Sequence, residues 1–179
     1  MSHLSTLTAS ELTSEVTAVQ QKTYVTYTCL PTSTSADSDG DIEPTMTLLE
    51  HRDLIAGSTV AGFKTWDAAL YLGSYLLTPE GKQLIEDKNV LELGAGTGFL
   101  SILCAKHLGA KHVTSTDGDE KVLESLRANL HLNDLDGESR VLPKILEWGQ
   151  SFSGTWISQN ISRTWPLHTV IGADIVRIS

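Results

Sequence analysis

A chain of 179 residues has the length of one domain and can bury about two-thirds of its unfolded surface. Thirteen Lys and Arg against 22 Asp and Glu give a net charge of -9, which argues against attachment to nucleic acid through bulk positive charge and leaves a basic protein partner open. Two cysteines, Cys29 and Cys104, exclude a disulfide framework; no apolar run of about 18 residues exists to span a membrane, and Met1 to Gln20 show no signal-peptide pattern, so a soluble cytosolic or nuclear protein is expected.

The chain divides by composition. Residues 1–42 are read as an N-terminal extension whose Ser/Thr-rich stretch, Thr32 to Gly40, forms a flexible polar loop. Residues 23–28 are strand-prone, residues 45–50 supply a second strand, and the pair is expected to form a β-hairpin around that loop. Thr65 is placed to cap a helix over 66–77, with Asp67 in its first turn and Ala69, Leu72 and Leu76 at core-facing spacing. Thr78-Pro79-Glu80-Gly81 is read as its end. Residues 89–93 form a short apolar strand, followed by a glycine turn and a helix over 99–108 that Gly109 stops. Residues 112–116 form the next strand, ending at Asp117. A helix over 120–130 follows, with Val122, Leu126 and Leu130 on one face. Residues 140–143 and 169–174 complete the strands. Strands alternating with helices predict an α/β fold with a parallel, right-handed sheet of about four core strands.

The stretch Glu92-Leu93-Gly94-Ala95-Gly96-Thr97-Gly98 sits between a strand and a helix. Glycines there permit a tight turn and a close backbone approach to a ligand, and the helix start adds free N–H groups. Asp117 lies at the end of the next strand, where an acid accepts hydrogen bonds from ribose hydroxyls. The spacing is G-x-G-x-G rather than the dinucleotide G-x-G-x-x-G, and no G-K-[ST] follows to make a P-loop.

This stretch, with its acid Glu92, resembles motif I of class I S-adenosylmethionine-dependent methyltransferases. Gly62-Phe63-Lys64-Thr65-Trp66-Asp67-Ala68-Ala69-Leu70-Tyr71-Leu72 resembles the segment before motif I in methyltransferase family 16, seven-β-strand enzymes that methylate lysines of non-histone proteins. Leu146-Glu147-Trp148-Gly149 resembles the [DE]-W-G motif of that family. From Glu43-Pro44 to Thr116-Asp117-Gly118-Asp119-Glu120 the chain is most similar to the elongation factor 2 lysine methyltransferase branch. The resemblance implies a Rossmann-like class I methyltransferase sheet over residues 43–179 and S-adenosyl-L-methionine as cofactor. It implies cofactor contacts from Trp66, Gly94, Ala95, Gly96, Asp117, Trp148 and Ala173. Glu92 would hold the methionyl ammonium, Trp148 would lie beside the adenine, Trp66 would close the methionine end, and small Ala173 would stand near the methyl group. The implied partner is a protein substrate, elongation factor 2, with no nucleic acid and no membrane, for a cytoplasmic monomer.

The family places [DN]-x-x-Y after the fourth strand, where the substrate lysine enters. Asp174 keeps the first position and is the catalytic candidate, but Arg177 stands where tyrosine is expected and the chain stops at Ser179. The expectation is a C-terminally incomplete domain with an exposed fourth strand and little or no activity alone. Two other readings stay open: a non-catalytic cofactor- or partner-binding fragment, and a nicotinamide-dependent oxidoreductase, disfavoured by the glycine spacing. His3, His51, His107, His112, His131 and His168 show no metal-ligand spacing, so no metal is expected. Cys104 is expected in the core and Cys29 carries no evident role. Asp119 and Glu120 are explained by helix-dipole preference alone. Ser151 to Arg163 reads as a polar loop of uncertain use.

Overall fold

The computed structural model describes residues 22–29, 45–51, 61–136, 140–149 and 166–175. The predicted polar loops at 32–40 and 151–163, and Arg177, lie outside the described residues. Four parallel strands, β3 (Asn89–Leu93), β4 (His112–Asp117), β5 (Val141–Ile145) and β6 (Thr169–Gly172), form one sheet in the order β5-β4-β3-β6. β3 is paired on both sides, and Asn89 through Glu92 are all buried. A strand covered on both faces reads as a near-continuous apolar run, and β3 is legible in the sequence for that reason. Pro143 sits in β5, an edge of the sheet among the described strands, where a missing N–H is tolerated.

Two strands outside this sheet, β1 (Lys22–Thr28) and β2 (Thr45–His51), pair antiparallel from Lys22 opposite His51 to Thr28 opposite Thr45. The expected hairpin is present. Met46 and Leu48 alternate with more exposed neighbours and enter the core that also holds Leu100, Ile102, Leu103 and Leu126. Burial of such side chains is worth roughly 1.5–3 kcal/mol each.

The helices cover the sheet. α3 (Phe99–Lys106) is buried from Phe99 to Ala105, and Gly109, at φ +72°, follows it. α4 (Glu120–Leu132) is amphipathic, burying Val122, Leu123, Leu126 and Leu130. Asp119 caps it, accepting from the Lys121 N–H at 2.8 Å. Two buried asparagines, Asn129 of α4 and Asn133 at its C-cap, reach β2. Asn129 Oδ1 accepts from Leu49 N at 2.8 Å; Asn133 Oδ1 accepts from Thr47 N at 3.2 Å, and Asn133 Nδ2 donates to Thr47 O at 2.7 Å. The asparagines thus replace a neighbouring strand on that edge of the hairpin.

Local chemistry departs from expectation at α1 (Asp67–Leu76). Trp66, not Thr65, is its N-cap residue, and no side chain caps it. The Thr65 hydroxyl is bound instead to Glu50 and Thr97. Thr78 to Gly81 does more than end α1: Thr78 accepts from Gly81 N at 3.1 Å and starts α2 (Pro79–Gln83), with Pro79 in its first turn. Gly81 is obligatory there, because a Cβ would lie 2.2 Å from the Tyr75 carbonyl oxygen. β6 ends at Gly172 rather than at residue 174, since Asp174 turns into positive φ, +54°.

Candidate functional site

The carboxyl ends of β3, β4 and β6 meet the segment preceding α1 around a cavity of about 420 Å³, within the size range of small-molecule sites. It lies beyond the strand ends, the usual ligand position in open α/β sheets. All nine residues singled out from sequence line it: Trp66, Glu92, Gly94, Ala95, Gly96, Asp117, Trp148, Ala173 and Asp174. Lys64, Thr65 and Thr97 line it too and are not among the candidate site residues, Thr65 being expected as a helix cap.

Three backbone N–H groups of the glycine turn are anchored. Ala95 N donates to Thr116 O at 2.8 Å, Gly98 N to Ala95 O at 2.8 Å, and Gly96 N to Asp117 Oδ2 at 3.1 Å. Gly96 has φ +54°, and a Cβ there would stand 3.2 Å from the Gly62 carbonyl oxygen. Backbone conformation and close approach both require glycine. Asp117 is fixed a second time, as Oδ1 accepts from Asp119 N at 3.2 Å. A carboxylate offers about four acceptor sites, so each oxygen retains capacity.

Glu92 is buried, and its carboxylate accepts from the Ser101 hydroxyl, which also bonds to Ser115. Burial pushes its carboxyl up to about 8; the Ser101 bonds pull the other way and the charge of Asp117 adds to the rise. Without a cation beside it, Glu92 is mostly protonated at neutral pH.

The wall opposite the glycine turn is tied to the hairpin. Glu50, buried on β2, accepts from Thr65 N at 3.1 Å and from Thr65 Oγ1 at 2.8 Å. Thr65 Oγ1 lies 2.7 Å from Thr97 Oγ1, and Thr97 O accepts from Asn129 Nδ2 at 2.9 Å. Burial and Glu50 push the neighbouring Tyr27 phenol up to about 12. Thr65 therefore joins hairpin, cavity wall and glycine turn. No spacing rule exposes it, because its partners lie 15 and 32 positions away.

Residues 48–178 match the family model described as lysine methyltransferase. The chain belongs to the lysine methyltransferase family. It is 43% identical to the protein-lysine N-methyltransferase EFM3 of Chaetomium thermophilum over 98% of this chain and 50% of that protein. It is 33% identical to EFM3 of Saccharomyces cerevisiae over 56% of this chain and 34% of that protein. The human protein-lysine N-methyltransferase EEF2KMT is 35% identical over 56% of this chain and 29% of its own length. The chain thus spans half or less of the length of these relatives. The parallel sheet and the glycine turn are those expected of the family. Among the described residues no helix is long and apolar enough to cross a membrane, and no group of three or more His, Cys, Asp or Glu is placed to hold a metal.

Proposed function

We propose that this chain binds S-adenosyl-L-methionine and supplies the cofactor site of a protein-lysine N-methyltransferase acting on elongation factor 2. Asp117 carries the cofactor reading. Two backbone N–H groups aim its carboxylate at the cavity wall, and its spare acceptor sites suit the two adjacent hydroxyls of a ribose. Gly94, Ala95 and Gly96 leave room for the ligand against the backbone, and Trp148 gives the base an aromatic surface. Trp66 closes the opposite end with a face suited to a sulfonium cation. Glu92 accepts the ammonium of the amino-acid portion. The cofactor, when bound, supplies an electrophilic methyl group.

The target lysine must arrive neutral. At an ordinary pKa near 10.4 this costs about 4.6 kcal/mol at pH 7. Loss of water around the amine on entry lowers its pKa by desolvation. In this reading Asp174, which lines the cavity in a left-handed conformation, accepts a hydrogen bond from the amine and aligns it. The family match and the names of the relatives support lysine as the acceptor, and the relative named EEF2KMT supports elongation factor 2 as the substrate.

Calorimetric titration with S-adenosylhomocysteine tests the site. Binding is expected, with a loss of roughly ten-fold or more in Asp117→Ala, the range for hydrogen bonds to a charged group. Absence of binding, or displacement by NAD at comparable concentration, contradicts the reading. For the substrate, labelled methyl is expected on a lysine of elongation factor 2; labelling of other proteins in preference to it contradicts that assignment.

A further inference from the structure

The cavity walls are unbalanced in charge. Glu92, Asp117, Glu147 and Asp174 line the cavity, and Lys64 is the one cationic residue among the described residues that do. A ligand with an α-amino acid at one end brings an ammonium and a carboxylate. The acids answer the ammonium and the ribose; no acid can answer a carboxylate. Lys64 is half-buried, its Nζ lies 5.9 Å from the centre of the Trp66 ring, and it forms no ion pair with any described residue. Its backbone is fixed over the glycine turn from both sides. Gly62 presses on Gly96, and Thr65 is bonded to Thr97.

We propose that Lys64 binds the carboxylate of the cofactor's amino-acid portion and so selects cofactors carrying that group over plain nucleosides. The proposal rests on the cofactor reading above. A lysine ammonium donates up to three hydrogen bonds and meets a carboxylate as a point charge. The Trp66 face steadies the same cation when the site is empty. The competing arrangement leaves the carboxylate to the backbone N–H groups that open α3.

The test is a ligand comparison by calorimetry. S-adenosylhomocysteine carries the amino-acid portion and methylthioadenosine lacks it. Lys64→Met is expected to weaken S-adenosylhomocysteine by roughly ten-fold to a hundred-fold, and to leave methylthioadenosine within about two-fold. Lys64→Arg, which keeps the charge, is expected to recover most of the loss. Equal weakening of both ligands overturns the proposal, because it marks a general disturbance of the wall. Undiminished S-adenosylhomocysteine binding by Lys64→Met overturns it in favour of the backbone N–H groups. If the unaltered chain binds neither ligand, the cofactor reading fails first and the proposal falls with it; thermal unfolding of each variant identifies any that has lost its fold.

Discussion

Glu92 shows how one buried carboxyl links folding, pH and ligand binding. Its value is about 4.5 when unfolded and about 8 in the folded chain. Between those values the folded state holds one proton more than the unfolded state. Its contribution to stability is therefore complete below about pH 4.5 and is lost as pH rises to about 8, at up to about 1.4 kcal/mol per unit. Glu92→Gln is expected to flatten stability across that window, which denaturant titrations at several pH values measure. A methionyl ammonium beside Glu92 favours the charged form and lowers its pKa. Binding of S-adenosylhomocysteine at pH 7 is then expected to release up to one proton, seen as a binding enthalpy that varies with the ionisation enthalpy of the buffer. Glu92→Gln should abolish that variation; its persistence in the variant would assign the proton elsewhere. The glycine turn, Glu92 and Asp117 were legible in the sequence because they lie in one short segment and at the end of the following strand. Lys64 was not, since a single lysine gains meaning only from the walls around it.

At the scale of elements, the hairpin is part of the site although it contributes no residue to the cavity lining. Glu50 of β2 holds Thr65, and Thr65 holds Thr97 in the glycine turn. Thr65→Val removes both bonds and leaves a buried carboxylate with one donor fewer. A loss of about 1–3 kcal/mol in stability is expected, together with weaker cofactor binding, whereas Thr65→Ser should preserve both. If Thr65→Val destabilises the chain but binds S-adenosylhomocysteine as tightly as the unaltered chain below its unfolding temperature, the link to the site is absent. This element also shows why the Thr65 expectation failed. A Ser or Thr caps a helix by accepting from its first N–H groups, but Thr65 stands one residue before the N-cap, and its hydroxyl is turned away to donate to the Glu50 carboxylate of a distant strand. The start of α2 was missed for the converse reason, because Thr78-Pro79 was read only as punctuation after α1.

For the molecule as a whole, one apolar core joins the sheet, α3, α4 and the hairpin, with Met46 and Leu48 placed among Leu100, Leu103 and Leu126. Leu48→Ala is expected to cost about 2–5 kcal/mol. Far- and near-ultraviolet signals should fall together in a single thermal transition; separate transitions would show a hairpin that folds apart from the sheet. The sheet order β5-β4-β3-β6 brings the ends of β3 and β4 side by side and so places Asp117 against Gly96. That adjacency follows from strand pairing and was inferred from motif spacing alone. The structure of the chain crystallised with S-adenosylhomocysteine tests it most directly. The account predicts both ribose hydroxyls within hydrogen-bonding distance of the Asp117 carboxylate, with the sulfur beyond Gly94 toward Trp66. A nucleoside bound outside this cavity, or ribose hydroxyls turned away from Asp117, would contradict it.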